Sequence, residues 1–236
     1  KDKILSFRKI KGNWGPTRYQ GSVSLNLTKN TIFVSASTPF MDLRNLKQML
    51  EKNVPIAVDA TGTGSGKIKL WGPLNPKALN FDLSAQTFRG EIAGESYDNL
   101  RAELKSRNGK IEFRNVRLLR GDSSIELKGS LNPDGKMDAI ILGRGVRPEE
   151  LSYIQNAGYN FTGRLDFSAT LKGPLKTLHS ETHGRLSQLT INSRSADDSI
   201  FSFKIDEHSI NGQGQLFGDV VKTTFRYPYN QNSKFS

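Results

Sequence analysis

Cysteine is absent from this 236-residue chain, which excludes disulfides, thiolate metal sites and cysteine nucleophiles. That absence sets no compartment, because cysteine-free chains are common in the cytosol and among bacterial periplasmic proteins. No uninterrupted apolar run approaches the roughly 18 residues of a membrane-spanning helix, and no charged-then-apolar leader is present. The chain opens at Lys1 rather than Met, as expected of a piece of a longer parent whose targeting signal and anchor lie elsewhere. Tryptophan is scarce, with two residues, and no isolated carboxylate pair stands out, which leaves little from which to build a carbohydrate-stacking or carbohydrate-cleaving site.

What the chain does have is basic charge. Lys and Arg number 34 against 23 Asp and Glu, a net charge of +11 that favours anionic partners such as lipid headgroups, lipopolysaccharide or nucleic acid. Lys1, Lys3, Arg8, Lys9 and Lys11 cluster near Phe7 and Trp14, as in a surface that meets headgroups or nucleic acid. Elsewhere, Lys67, Lys69 and Arg164 alternate with apolar residues, which reads as the solvated face of strands.

The hydrophobic pattern has period two. Val23/Leu25/Leu27, Leu79/Phe81/Leu83/Ala85 and Leu165/Phe167/Ala169/Leu171 are its clearest runs, each predicting a half-buried strand. Shorter runs, among them Ile56/Val58/Ala60, Ile68/Leu70, Ile111/Phe113, Ile125/Leu127 and Phe201/Phe203/Ile205, bring the expected total to about fifteen strands. Turn residues separate them at Lys29-Asn30, Asn75-Pro76-Lys77, Asn108-Gly109, Asn132-Pro133-Asp134-Gly135 and Asn211-Gly212, predicting successive hairpins in an antiparallel meander. Two segments carry helical spacing, 41–50 and Pro148–Ile154. Both are too short to stand alone, so each is expected to cap the sheet.

An internal repeat joins these elements. Thr61-Gly62, Leu70 and Gly72-Pro73-Leu74 recur as Thr162-Gly163, Leu171 and Gly173-Pro174-Leu175, six identities within fourteen-residue windows where about one is expected from composition. The repeat divides the chain into N-terminal strands (1–40), a first copy (41–147) and a second copy (148–236).

The repeat resembles the AsmA-like and TamB family of Gram-negative envelope proteins, whose segments run from an Asp-Leu-x-x-Leu helix through a Gly-started strand to a Leu-x-Gly-x-Leu-x-x-Pro ending. Asp42-Leu43-Arg44-Asn45-Leu46 and Gly66 to Pro76 carry the likeness in the first copy, Pro148 to Leu151 and Gly163 to Leu175 in the second. The second copy departs at Glu149-Glu150-Leu151 and lacks a counterpart of Pro76. The resemblance implies a mainly β protein whose long curved antiparallel sheet forms an open apolar trough, in the manner of a β-taco, with two short α-helices. It also implies a periplasmic location, a parent anchored in the inner membrane, and phospholipid or other acyl-chain cargo moving towards the outer membrane. Assembly of outer-membrane β-barrel proteins through strand pairing is the alternative, with such a barrel as partner.

Other motifs are weaker. Gly62-Thr63-Gly64-Ser65-Gly66-Lys67 lacks the spacing and the following Ser or Thr of a phosphate loop, and reads as a flexible turn. His179, Glu181 and His183 sit at strand spacing, where imidazoles do not converge on a metal as they do on a helix. Asp197-Asp198 falls in a polar loop, and Glu149-Glu150 in a first helical turn, where the dipole favours acids. The expectation is therefore no enzyme, no cofactor, no metal and no nucleic-acid partner.

The apolar stripe carries most weight. Its expected lining is Leu25, Leu27, Leu70, Leu79, Phe81, Leu83, Ile111, Phe113, Ile125, Leu127, Leu165, Phe167 and Leu171. A closed barrel or sandwich would bury the same stripe internally. An open sheet leaves about a dozen large side chains uncovered, forgoing roughly 20 kcal/mol. A sixteen-carbon acyl chain returns about 12 kcal/mol of that before entropy losses.

Overall fold

The computed structural model describes residues 2–45, 59–75, 78–175 and 177–228. Ile56, Val58, Pro76, Lys77 and most of the expected first helix lie outside the described residues.

The chain divides into two compact units, Lys1–Arg120 and Gly121–Ser236. The first holds β1 (Ile4–Trp14), β2 (Thr17–Asn26), β3 (Thr31–Asp42), β4 (Thr63–Pro73), β5 (Asn80–Ile92), β6 (Glu95–Arg107) and β7 (Lys110–Arg120). The second holds β8 (Ser123–Leu131), β9 (Lys136–Val146), β10 (Phe161–Pro174), β11 (His179–Ile191), β12 (Arg194–Ala196), β13 (Ser199–Ile205), β14 (Ser209–Leu216) and β15 (Val221–Pro228). Within each unit every strand pairs antiparallel with its neighbour in chain order, except that β12 is a short flap on β11. The protein is mainly β, as its period-two pattern predicts.

Neither sheet closes. Among the described residues no pairing joins β1 to β7 or β8 to β15. The substantial contacts run between hydrogen-bonded neighbours and around one short helical turn, so among the described residues no second layer covers the strands of either unit. Among the described residues neither unit is a closed barrel or a sandwich. Bulges interrupt the register between Phe7 and Ile10 on β1, between Thr38 and Met41 on β3, and between Gly143 and Val146 on β9, opposite Leu165 and Phe167, and each adds local twist and bend.

Most turns fall where the residues demand them. Asn108 and Gly109, both at positive φ, make the two-residue hairpin between β6 and β7 that Asn-Gly favours. Asn211-Gly212 is a correction: it lies inside β14, paired to Lys204 and Phe203 on one side and to Arg226 and Phe225 on the other. The flanking reversals at Asp206–His208 and Phe217–Val220 contain the turns instead. Asp206 shapes the first by accepting from the N–H groups of His208 (2.9 Å) and Ser209 (2.8 Å), an Asx-type turn. The Gly62–Lys67 segment is no flexible turn either, because β4 begins at Thr63.

The repeat is visible in three dimensions. In both copies a strand ends in Gly-Pro, with Gly72 and Gly173 at φ 141° and 107°, a backbone that only glycine tolerates. The following leucine then donates to a carbonyl in the turn before the preceding strand, Leu74 to Asn30 (3.0 Å) and Leu175 to Gly135 (3.1 Å). The helical links precede the same strands. Asp42 accepts from the N–H of Arg44 (2.9 Å) and of Asn45 (3.3 Å), opening a helix at 43–45 in the manner of an N-cap. The second link is a 3₁₀ turn, Pro148–Glu150, followed by α1 (Ser152–Asn156). There Glu149 accepts from the N–H of Gly163 (3.2 Å) instead of capping its own turn.

Candidate functional site: one apolar face in each sheet

Strand pairing turns separate sequence runs into rows that cross the sheet. In the first unit, Ile10, Gly21, Ala36, Ile68, Leu83, Leu104 and Phe113 are successive cross-strand partners. Two residues along, Phe7, Val23, Val34, Leu70, Phe81, Ser106 and Ile111 form the next row. Because side chains alternate, the two rows share one face, while Lys67, Lys69, Ser84 and Gln86 project from the other and are exposed. Leu25 lies in a third row on the apolar face, opposite Ile32 and Leu5.

The second unit repeats this arrangement. Ile125, Gly143, Phe167, Gly184, Phe201, Gly214 and Thr223 form one row. Leu127, Ile141, Ala169, Thr182, Phe203, Gly212 and Phe225 form the row beside it. Leu171 pairs with Ala139 and Ser180, and Leu165 with Val146 and Leu186, on the same face.

Eleven of the thirteen residues expected from the sequence therefore stand on strand faces in these rows. The other two do not: Leu27 lies just past β2 at 52% exposure, and Leu79 just before β5. Sequence reasoning left out Val34, Leu104, Leu186, Phe201 and Phe203, whose own alternation marks them as strand residues but whose cross-strand neighbours only the register supplies.

Burial on this face is partial. Among the described residues the buried hydrophobics are Met41, Tyr97, Ala139, Val146, Ala169 and Leu189. The larger Leu70, Phe81, Leu83, Phe167 and Phe201 stay half-buried, as befits a single layer whose side chains shield one another laterally.

Glycine and aromatic residues are matched across strands in a way the sequence conceals. A Cβ on Gly143 would collide with the Phe167 ring, one on Gly184 with Phe201, and one on Gly212 with Phe225. Each pair is directly opposed in the register, so the ring lies over its glycine and covers a bare backbone. Phe201 and Phe203 stack at 6.2 Å between centroids. A cavity of about 1080 Å³ follows the Gly143–Thr223 row, each strand giving the row residue and its two neighbours. A more apolar hollow of about 410 Å³ lies where Phe161, Leu186, Leu189, Phe201 and Leu216 meet.

In the first unit the matching residues are tyrosines, Tyr19 over Gly12 and Tyr97 over Gly90. Tyr97, 3% exposed, donates to the Thr61 carbonyl (2.7 Å) and accepts from the buried Thr87 hydroxyl (2.8 Å). Burial raises its phenol above the usual 10.0.

His183 lies 3.4 Å from Glu181 on an exposed face, and no cluster of potential metal ligands occurs among the described residues. Asp198 pairs with Arg185 (3.0 Å), and Glu149 is engaged with Gly163. No helix among the described residues is long and apolar enough to cross a membrane. Comparison with protein-family models, curated proteins and solved structures finds no match to this chain.

Proposed function

We propose that the apolar faces hold lipid acyl chains, and that the chain is a periplasmic segment of an AsmA-like or TamB-like protein that moves phospholipid between inner and outer membranes. One observation supports this most: large apolar side chains are aligned in rows across each unit's strands, with no second layer over them among the described residues. Water contact along such rows costs about 1.5 to 3 kcal/mol per large side chain, which an acyl chain removes without directional bonds. Headgroups stay at the edge, in water. Passage along the rows then needs no covalent step and no tight stop, and this reading assigns no enzymatic role.

The test is occupancy by a brominated phospholipid, read through quenching of an introduced fluorophore. Phe81→Glu and Phe167→Glu, each placing a charge in the middle of a row, are expected to abolish quenching while circular dichroism stays that of a β protein. Undiminished quenching in both folded variants would remove the assignment.

A second reading, strand pairing with an outer-membrane barrel protein, rests on β15, which is exposed along its whole length and has β14 as its sole strand partner among the described residues. Proline at Thr224 would block an incoming strand without altering the apolar rows. Loss of partner capture together with retained lipid would favour this reading.

A further inference from the structure

The positive charge is not spread evenly. The first unit contains 21 Lys and Arg against 10 Asp and Glu, whereas the second contains 13 of each. The whole excess belongs to the first unit. Across β1–β4 the sole acid is Asp42, and it is occupied with the N–H groups of Arg44 and Asn45.

On the face opposite the apolar rows, register brings distant lysines together. Lys11, Gln20, Ser37 and Lys67 are successive cross-strand partners from β1 to β4. Beside them Ser22, Ser35 and Lys69 are also partners, and Lys9 stands at the β1 bulge facing Ser22. These residues line a groove of about 510 Å³ together with Ile10, Gly21, Ala36 and Ile68, with lysines on its two outer strands and Ser22, Ser35 and Ser37 between them. Lys9/Lys11 and Lys67/Lys69 are three strand spacings apart, about 14 Å at the backbone, close enough for flexible side chains to converge on one ligand.

The four lysines make no ion pair among the described residues, and no acid lines the groove. Many other basic residues of the sheets are paired: Lys29 with Asp2, Arg101 with Glu103, Arg114 with Glu112, Lys128 with Glu126. The carboxylate opposite Lys69 is Asp82, held by Arg107 at 2.8 Å. Arg107 is itself fixed over the Trp71 ring at 4.4 Å, so Asp82 stays committed.

We propose that this groove binds a multiply charged phosphate ligand, with Lys9, Lys11, Lys67 and Lys69 neutralising its charge and the serine hydroxyls donating to its oxygens. Ammonium groups act as point charges and hydroxyls as adaptable donors, a combination suited to clustered phosphate oxygens rather than to a single planar carboxylate, for which paired guanidinium donors fit better. The lysines and serines alternate along their strands with the apolar row residues, so the inference does not depend on the acyl-chain reading.

The experiment titrates the full chain with inorganic tripolyphosphate by calorimetry, and separately measures co-sedimentation with phosphatidylglycerol vesicles. Two wall variants, Lys9→Ser/Lys11→Ser and Lys67→Ser/Lys69→Ser, are compared with Lys105→Ser/Lys110→Ser, which removes equal charge from the same unit outside the groove. Each wall variant is expected to weaken binding by about tenfold or more and the control by no more than about twofold, with unchanged thermal melts. Binding to tripolyphosphate identifies a soluble phosphate ligand, and binding confined to vesicles identifies headgroups on a bilayer. Equal losses in all three variants would reduce the effect to net charge, and no binding of either probe would remove the site; both outcomes overturn the proposal.

Discussion

The first unit concentrates positive charge and fills its apolar face largely with aliphatic side chains, while the second is charge-balanced and lays phenylalanine rings over glycines. Both units use the same repeat, a strand ending in Gly-Pro whose next leucine is tied back to an earlier turn. One backbone plan thus supports two surface chemistries. The difference arises from side chains that never meet in sequence: lysines converge across β1–β4 in one unit, and rings converge on glycines across β9–β15 in the other.

The largest expected effect comes from breaking the ring-over-glycine arrangement. Gly184→Val drives a branched side chain into the space of the Phe201 ring and is expected to cost about 3 kcal/mol by overpacking. Gly66→Ala in the first unit meets its nearest atom, the Ser84 carbonyl oxygen, at 3.3 Å and is expected to cost well under that. Urea unfolding of both variants checks the contrast, and equal losses would erase this distinction between units.

Next is Tyr97, which ties two strands and the β4 approach together in the first unit. Tyr97→Phe leaves the Thr61 carbonyl and the Thr87 hydroxyl without their partner, an expected loss of about 2 kcal/mol. The pH dependence has a definite sign. The folded phenol holds its proton more tightly than the unfolded one, so its contribution is complete below the ordinary value of 10.0 and falls as pH rises through the raised folded value. Denaturant midpoints measured from pH 8 to 11 are expected to lose part of their alkaline decline in Tyr97→Phe.

A smaller effect separates the two helical links. Asp42→Ala removes an N-cap and is expected to cost about 1 kcal/mol. Glu149→Ala removes one longer bond to Gly163, with a loss of about 0.5 kcal/mol expected. Thermal unfolding of the two variants ranks them. Smallest is the acid response of Asp206, whose carboxylate is held below its usual 3.8 chiefly by the N–H of His208. Its contribution is present above the unfolded value and fades as pH falls through the lowered folded value, so Asp206→Asn is expected to flatten a slight acid slope in the melting temperature.

How much of this was legible in the sequence follows the range of each interaction. Alternation placed Leu70, Phe81, Leu83, Phe167 and Leu171 on strands with the apolar side shared, because period two is a property of one strand. Asn108-Gly109 announced its hairpin because both residues accept positive φ. Asn211-Gly212 misled for the complementary reason: the same residue types fill a strand interior when a ring from the neighbouring strand needs room over the glycine. The pairing of Phe167 with Gly143, 24 residues away, and of Lys11 with Lys67 through two strands is set by register. Register depends on turns and bulges summed over several hairpins, which composition and spacing do not encode locally.

The central claim is that lipid lies against the apolar rows. The most direct measurement places a photoreactive amino acid singly at Phe81, Leu83 and Phe167, and at the alternate-face positions Ser84 and Ser168, then identifies cross-linked lipid by mass spectrometry after expression in a Gram-negative host. The account predicts phospholipid adducts at 81, 83 and 167 and none at 84 and 168. Adducts on both faces alike, or on neither, would contradict it.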